Sequence, residues 1–437
     1  MEETKPAELN KEQQEAYNGF FQFLLGPEKE MGITGPGGTG KTYLLGQLID
    51  RAVPEYFQTC KLMGLIPEFD YVEMTSTTNK AAEVLSLACG RPTSTVQSFL
   101  NLKVSEDYST GKSSLTKTNQ WRVHNKIVLF VDECSLVDTP LHNIVNEGTQ
   151  DCKIVYVGDH CQMAPITEAI SPVFCNNIPF FHLTEPMRTT VPELHALNKQ
   201  LRNTVETGQF LPIKIVPGII DLLTPQQMEL DVAKHFTAQT LEARILAYTN
   251  KMAVDYNDHI RYLRGLPDEF TVGEFLINNN AIPLKNYMLS VEEEVEILRI
   301  SSDIETINVT EFNGEAVTLE VFRCDIQNRL GHTFTNVRLP KDRAHYAALL
   351  KWLANQKNWS MMYGLKKTVL DLRQRDSSTV YKAQGSSMDT VFIDAANIST
   401  CHNPSQAARM LYVAASRARQ RVVFYGDLAS KYGGFIR

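Results

Sequence analysis

The chain has 437 residues, 43% of them hydrophobic and 21% charged, which is typical of a globular protein with about two to four structural units. Its formal net charge of −7 argues weakly against a nucleic-acid-binding protein, although a net sum hides local fields. No apolar run reaches about 18 residues, so we expect no membrane-spanning helix and no membrane partner.

Eight cysteines occur, and none of them forms a C-x-x-C pair or a cluster with the ten histidines. This spacing predicts neither a disulfide framework nor a structural metal site, and it indicates a reducing compartment. The first residues are polar and acidic, so they predict no signal peptide. We therefore expect a cytoplasmic protein.

The first informative stretch is GPGGTGKT (35–42), which lies between a short predicted strand, EMGIT (30–34), and a helical pattern, YLLGQLIDRA (43–52). A strand, a glycine loop and a helix start together indicate a P-loop. The loop backbone would surround a phosphate chain with N–H groups from Gly35, Gly37, Gly38, Thr39 and Gly40. Lys41 would reach the β- and γ-phosphates of ATP, and Thr42 would offer its hydroxyl to Mg²⁺.

Further predicted strands are YVEMTS (71–76), KIVLFVDE (126–133) and KIVYVGD (153–159), and helical patterns alternate with them. This alternation predicts a parallel sheet with helices on both faces. Asp132 is placed to hold the Mg²⁺ shell, and Glu133 is placed to orient or deprotonate a water molecule. Gln162 follows the last of these strands, where it could sense the γ-phosphate.

Residues 101–124 interrupt the alternation. They are polar, with a turn signal at Ser109-Thr110-Gly111, and we interpret them as an inserted β-hairpin. A disordered surface loop is the alternative.

A second α/β unit begins near residue 186, with RILAYTNK (244–251) as a predicted strand. Residues 281–340 then predict a small β-barrel, in which Asn313-Gly314 favours a type I′ hairpin turn. RAHYAALLKWLANQ (343–356) predicts an amphipathic helix. The runs 390–397 and 421–425 again predict buried strands. The second α/β unit is therefore interrupted by the barrel segment and completed at the C-terminus.

Three stretches are locally basic despite the acidic total: 101–126, 366–382 and 409–421. Surface charge explains any one of them. Together they make a groove that follows phosphates possible.

GPGGTGKT, DECS (132–135), GDHCQMAP (158–165), TVYKAQGSS (379–387) and LYVAASRARQR (411–421) occur in the order of the superfamily 1 helicases. The resemblance is greatest to the 1B branch, which contains the phage Dda helicase and RecD-like enzymes. It implies an α/β fold of two RecA-like P-loop domains with a β-hairpin insertion in the first and an SH3-like β-barrel in the second. The implied segments are 1–100 with 125–185 (domain 1A), 101–124 (the pin, 1B), 186–280 with 372–437 (domain 2A), and 281–371 (the SH3-like and helical insertion, 2B).

The same resemblance implies further nucleotide contacts. LNKEQQEAY (9–17) resembles the segment that reads adenine, through Gln13. Arg188 in LTEPMR and Arg417 in LYVAASRA would meet the γ-phosphate. Gly385, in the segment that links nucleotide and DNA contacts, would lie near the nucleotide.

For the nucleic acid, the resemblance implies contacts from several separate segments. STTNKAA (76–82) and STVQSFL (94–100) would contribute first, although Gln97 stands where a histidine is usual. AYTNK (247–251) and TVYKAQG (379–385) would follow, with Tyr381 again in place of histidine. The implied contact residues are Thr78, Asn79, Lys80, Thr95, Gln97, Thr249, Asn250, Thr379, Tyr381 and Lys382, with Tyr108 and Leu115 near the tip of the pin.

These features predict a monomeric ATP-dependent DNA helicase that moves on single-stranded DNA, 5′ to 3′ by resemblance to the branch. The implied partners are single strands, duplex junctions and single-strand-binding or replisome proteins, in replication or recombination. The small chain would suit a phage protein acting in the host cytoplasm. A DNA-stimulated translocase and a regulatory module of a larger complex remain alternatives, and the sequence does not separate DNA from RNA.

Overall fold

The computed structural model describes residues 8–165, 168–185, 187, 190–285 and 287–436. The chain divides into two compact units, one of residues 1–102, 117–222 and 383–437, and the other of residues 103–116 and 223–382. This division leaves the predicted boundaries of the motor domains and insertions untested. Within the described residues, every helix is too short or too polar to span a bilayer.

The first unit is built on a six-stranded parallel sheet. In spatial order its strands are Phe180–His182, Glu30–Thr34, Lys153–Gly158, Ile127–Asp132, Tyr71–Ser76 and Ser94–Thr95. Four of these are the strands predicted from the sequence, so the predicted parallel sheet is confirmed. Apart from Asp132 and Lys153 at their ends, the two central strands are apolar because helices cover both faces of such a sheet.

Helices and smaller strand pairs complete the first unit. Its α-helices are Lys11–Leu25, Lys41–Gln47, Val53–Met63, Asn79–Cys89, Val96–Phe99, Thr139–Gly148, Pro192–Thr207, Ala395–Ser399 and Pro404–Ala415, with a π-helical turn at Leu48–Ala52 and 3-10 turns at Cys134–Leu136, Pro172–Phe174 and Ser430–Tyr432. Its parallel pairs are Met388–Asp394 with Ala418–Tyr425, Ile213–Lys214 with Phe435–Ile436, and His124–Asn125 with Thr149–Gln150. Phe20 and Phe130, both fully buried, pack with their ring centroids 5.7 Å apart and join the first helix to the sheet.

The second unit contains a five-stranded antiparallel sheet. In spatial order its strands are Thr333–Pro340, Glu315–Asn328, Glu294–Phe312, Phe275–Asn278 and Leu372–Gln374. The other strands of this unit are the parallel pair Ala243–Ala247 with Ser377–Thr379 and the small hairpin Ile282–Leu284 with Tyr287–Leu289. Its α-helices are Pro225–Phe236, Asn250–Leu263, Arg343–Asn355 and Trp359–Thr368.

The two longest strands of this sheet meet at the predicted type I′ turn. Asn313 and Gly314 have φ angles of 52° and 81°, as such a turn requires, so this prediction is confirmed. The strand ends near the turn pack on the helix Arg343–Asn355, where Phe312 meets Trp352 edge to face at 5.3 Å. The predicted amphipathic helix is therefore also confirmed.

The strands Leu102–Glu106 and Ser113–Lys117 form a two-stranded sheet, which confirms a hairpin within the inserted segment 101–124. Its turn packs on the helix Trp359–Thr368. The hydroxyl of Tyr363 donates to the Gly111 carbonyl at 2.9 Å, and the Lys367 ammonium donates to Glu106 at 2.5 Å. One helix therefore holds both the tip and the shaft of the hairpin.

Replacing Gly111 tests this packing. Gly111 has φ 69°, and a Cβ there would lie 2.5 Å from the Trp359 ring. The left-handed backbone costs a non-glycine residue about 1–2 kcal/mol. We expect Gly111→Ala to lower the free energy of unfolding by this amount. We also expect the hairpin to lose its contact with the helix Trp359–Thr368, so that amide hydrogen exchange becomes faster across 103–116.

Gly265→Ala is the matched control, because Gly265 has φ 65° and nothing within 4 Å of its Cβ position. It should show the backbone cost without faster exchange in the hairpin. Equal exchange in the two variants would contradict the packing role of Gly111.

Candidate nucleotide site and nucleic-acid segments

The glycine loop lies at the carboxyl end of the strand Glu30–Thr34 and leads into the helix Lys41–Gln47. Gly38 and Gly40 have φ angles of 88° and 78°, so the loop uses a backbone conformation that side chains disfavour. The Lys41 ammonium donates to the carbonyls of Gly35 and Pro36 at 2.8 and 2.9 Å.

The loop borders a cleft of about 360 Å³. The predicted residues that line it are Gly37, Gly38, Gly40, Lys41, Thr42, Asp132, Glu133, Gln162, Gly385 and Arg417. The structure therefore brings together residues from five separate sequence motifs.

The two acids stand where the strand Ile127–Asp132 ends. Burial, and then the adjacent Glu133, raise the pKa of Asp132 to about 7, while Lys41 opposes this shift. Glu133 has φ 53°, a left-handed conformation that is uncommon for a residue with a side chain and is often found at functional sites. Gln384 donates its amide N–H to the Glu133 carboxylate at 3.1 Å, so the position of this acid is fixed from a second segment.

The cleft offers the ligands that Mg²⁺ prefers. The Thr42 hydroxyl and the Asp132 carboxylate both line it, and both are hard oxygen donors. A cation would also offset the repulsion that raises the pKa of Asp132. The residues present therefore fit a magnesium ion.

Gln162 is only 3% exposed, and its amide oxygen is buried without a hydrogen-bond partner among the described residues. Its backbone is held firmly, because Arg409 donates to the carbonyls of His160 and Gln162, both at 2.5 Å. A fixed, unsatisfied amide in the cleft suits contact with a ligand oxygen or water.

The turn before Gln162 depends on buried Asp159, which accepts hydrogen bonds from Arg202 at 2.6 Å and from the Tyr412 hydroxyl at 2.8 Å. Burial alone would raise the pKa of Asp159, but Arg202 and Lys41 outweigh it and keep this pKa below its ordinary value. Our sequence interpretation did not identify Arg202, Arg409 or Tyr412. Tyr412 belongs to the quoted LYVAASRARQR stretch, and Arg409 stands just before it, so that stretch contained the signal.

Arg417 is 2% exposed and lines the cleft. Its guanidinium donates to the carbonyls of Val413 and Ser386 at 3.1 and 3.4 Å. Burial lowers its pKa, and nearby Glu133 opposes this shift. Arg188, the other predicted arginine, lies outside the described residues.

The four arginines of the basic stretch 409–421 are buried or paired with acids. Arg409 and Arg417 are buried, Arg419 pairs with Asp389 at 2.6 Å, and Arg421 pairs with Asp221 at 2.7 Å. Tertiary partners far away in sequence neutralise the run. In 366–382, Arg375 and Lys382 likewise pair with Glu294 and Glu292, at 2.9 and 3.1 Å.

Gln13 lies against the glycine loop. Its amide oxygen accepts from the Asn10 N–H at 3.2 Å, which caps the first helix, and its amide N–H donates to the Thr39 carbonyl at 3.4 Å. Thr39 is fully buried, and its hydroxyl donates to Pro36 at 3.0 Å. These contacts assign both residues to the support of the loop, and the adenine contact of Gln13 stays a prediction.

Two predicted nucleic-acid segments lie at the sheet edge that carries the acids. Ser76 is level with Asp132 on one side and with Thr95 on the other. Thr77 donates its N–H to the Asp132 carbonyl at 3.2 Å and its hydroxyl to the Glu133 carbonyl at 3.0 Å. The nucleotide acids and this segment are therefore joined by direct hydrogen bonds.

The predicted contact residues of these segments differ in their surroundings. Thr78 and Thr95 cap the helices that follow them, through Ala81 N–H at 3.2 Å and Ser98 N–H at 3.1 Å. Asn79 begins the first of these helices, and Lys80 pairs with Glu83 at 2.9 Å. The amide oxygen of Gln97 is buried and has no hydrogen-bond partner among the described residues.

The remaining predicted contacts lie in the second unit. Asn250, Thr379 and Lys382 line one cleft of about 270 Å³. Thr249 caps the helix Asn250–Leu263, and Tyr381 begins the 3-10 turn Tyr381–Ala383. On the hairpin, Tyr108 is 52% exposed at the turn, whereas Leu115 is half-buried on a strand.

Comparison with known proteins agrees with this site. Residues 8–210 match a family described as an AAA domain, and residues 376–425 match the UvrD-like helicase C-terminal domain. The chain is similar to the ATP-dependent DNA helicase dda of Enterobacteria phage T4, at 23% identity over 95% of this chain and 99% of that one. It is also similar, at 21% identity with the same coverage, to protein R530 of Acanthamoeba polyphaga mimivirus.

In three dimensions the chain resembles the Pif1 helicase from Bacteroides, whose structure was solved in complex with ADP-AlF3 and ssDNA. The TM-score is 0.52 and the identity 15%, over 99% of this chain and 95% of that one. This likeness confirms the α/β fold with two RecA-like domains, while the SH3-like nature of the insertion stays a prediction. These matches support the resemblance to the 1B branch of the superfamily 1 helicases that the sequence motifs indicate.

Proposed function

We propose that this chain is an ATP-dependent DNA helicase that moves along single-stranded DNA and separates duplex strands. The observation that carries the proposal is the single cleft that gathers Lys41, Glu133 and Arg417, with segment 76–80 bonded directly to its acids. The similar phage protein is named as an ATP-dependent DNA helicase. The proposed direction, 5′ to 3′, rests on resemblance to that branch.

Hydrolysis follows from the chemistry of the cleft. Glu133 orients and deprotonates the attacking water, and Gln384 holds its carboxylate in place. Lys41, Gln162 and Arg417 contact the phosphate oxygens, where negative charge spreads during transfer. Mg²⁺, held by Thr42 and Asp132, would neutralise phosphate charge.

The hydrogen bonds of Thr77 provide a route from hydrolysis to grip. Thr77 binds the backbone of both acids, and the next residue, Thr78, caps the helix Asn79–Cys89. A shift of the acids on phosphate release would therefore move the predicted strand contacts Thr78, Asn79 and Lys80. The ATP state would in this way bias which strand position is held.

The hairpin favours strand separation over translocation alone. It is anchored at two points by the helix Trp359–Thr368 and exposes Tyr108 at its turn. A fixed protrusion with an exposed ring suits the splitting of a base pair. Autonomous activity, as a monomer in a reducing cytoplasm, agrees with one chain that carries the whole cleft and with the eight free cysteines.

Removal of the phosphate-contacting lysine tests the nucleotide site. We expect Lys41→Ala to abolish ATP turnover and leave single-strand binding largely intact, because Lys41 lies in the nucleotide cleft and not in the predicted nucleic-acid segments. Turnover is measured with and without oligo-dT. Lys61→Ala, an exposed lysine in the last turn of another helix, is the control, and normal turnover in Lys41→Ala would remove the P-loop assignment.

The catalytic acid has its own test. Glu133→Gln retains an oxygen that can accept from Gln384 but cannot take a proton. We expect turnover to fall about 10²- to 10⁴-fold, as for loss of a general base, with ATP affinity retained. Glu147→Gln, at a surface ion pair, should have no effect, and a similar small effect in both variants would place the base elsewhere.

Strand separation on two partial duplexes, with a 5′ or a 3′ single-stranded tail, tests the function itself. We expect ATP-dependent unwinding of the 5′-tailed substrate only. Unwinding of the 3′-tailed substrate alone would reverse the proposed direction. If neither is unwound but single strands stimulate ATPase, the chain is a translocase or a module that needs a partner.

A further inference from the structure

A pocket of about 380 Å³ lies between the helices Arg343–Asn355 and Trp359–Thr368 in the second unit. Its walls are largely apolar, with Tyr346, Leu350 and Met362 among the lining residues. This volume is within the range of small-ligand sites. A larger cleft shares Arg343 and Asp371 with this pocket, and it shares Asn257 and Arg373 with the cleft of Asn250, Thr379 and Lys382.

The pocket contains an unsatisfied polar group. Tyr346 is only 3% exposed, and its hydroxyl forms no hydrogen bond within the described part of the chain. A buried hydroxyl without a partner is unfavourable, because it has lost its bonds to water. The Tyr346 hydroxyl is therefore available to a polar edge of a ligand.

The rim of the pocket is cationic. Arg343, Lys351 and Lys366 line it, and Asp371 is the single acid among its described lining residues. Both oxygens of Asp371 already accept from the amides of Asn279 and Asn280, at 3.1 Å each. Arg343 lies 3.5 Å from Asp258, but Lys351 and Lys366 take part in none of the ion pairs found among the described residues.

The same helix connects this pocket to the hairpin. Trp359, Tyr363 and Lys367 contact the hairpin, while Met362 and Lys366 line the pocket. The Lys366 ammonium lies 5.9 Å from the centroid of the Tyr363 ring, whose hydroxyl binds the hairpin turn. The Tyr363 side chain therefore lies between Lys366 at the pocket rim and the hairpin, which we propose splits the duplex.

We propose that this pocket binds one unpaired nucleotide of the displaced strand. The base lies among Tyr346, Leu350 and Met362, and Lys351 and Lys366 contact its flanking phosphates. We assign the displaced strand as the occupant because the helix that lines the pocket also contacts the hairpin through Tyr363 and Lys367. This inference rests on the proposed helicase function.

Crosslinking of the full chain to a forked duplex, without ATP, tests the site. 5-Iododeoxyuridine is placed at the first unpaired position of either the displaced or the tracking strand. For the wild type we expect displaced-strand crosslinks within residues 343–366. In Lys351→Gln and Lys366→Gln, the salt dependence of displaced-strand binding should weaken by about 0.7 in the log–log slope per lost charge. Tyr346→Phe should reduce the crosslink yield several-fold without a change of slope.

Lys357→Gln is the matched control. Lys357 is an exposed lysine that lies just after the helix Arg343–Asn355 and outside the pocket. It should behave as wild type. ATPase activity stimulated by oligo-dT should be the same in all four variants as in the wild type. If the wild type itself shows no such activity, the proposed helicase function fails, and this result is distinct from failure of the pocket proposal. Equal slopes in the pocket variants and the control would overturn the proposal. An equal loss of crosslink yield for the tracking strand would also overturn it. So would a result in which free dTMP competes as strongly as an unlabelled displaced strand.

Discussion

The carboxyl edge of the six-stranded parallel sheet is the constraint on which the site depends. Parallel strands end at the same edge, so the glycine loop, the Asp132-Glu133 pair and Gln162 converge there although up to about 130 residues separate them. The predicted nucleic-acid segments 76–82 and 94–100 begin at the same edge. The register places Ser76 between Asp132 and Thr95. The nucleotide cleft and the predicted nucleic-acid segments are neighbours because the β-strands that carry them are neighbours in the sheet.

Buried charge keeps this edge rigid. Arg409 and Arg202 lie within the protein and fix the turn that carries Asp159 and Gln162. Removing Arg409 would take away the donor to two backbone carbonyls, and removing Arg202 would leave the buried Asp159 without its cationic partner. Such a loss is generally more damaging than losing a surface pair. The pKa of Asp159 is lowered by such a partner, whereas the pKa of Asp132 is raised by burial and then by the adjacent acid Glu133. Two acids at one sheet edge thus have opposite tendencies, and a divalent cation suits the second.

In the second unit, one helix contacts two different features. The helix Trp359–Thr368 contacts the hairpin through residues on one side and lines the cationic pocket with others. Its position depends on the long strands that end at Asn313-Gly314 and pack on the helix Arg343–Asn355. A strand path beside the hairpin would follow from this arrangement without any additional domain.

The sequence alone determined the local elements and the chemistry of the motifs. The strands around the P-loop, the Asn313-Gly314 turn and the hairpin within 101–124 follow from periodicity and turn chemistry, which act between near neighbours. The motifs that line the cleft could likewise be recognised, since a phosphate loop needs its glycines and lysine at fixed spacing.

Only the tertiary structure decided which charged side chains are exposed and which are buried or paired. The stretch 409–421 appears basic in sequence, yet Asp389 and Asp221 pair with two of its arginines and burial removes the other two from the surface. Gln13 could be recognised from its motif, but its contacts with the helix cap and with Thr39 depend on packing. The pocket at Tyr346 has no sequence signature, because it exists only where two helices leave a gap. Charge pairing and cavities arise between residues distant in sequence, so local pattern does not specify them.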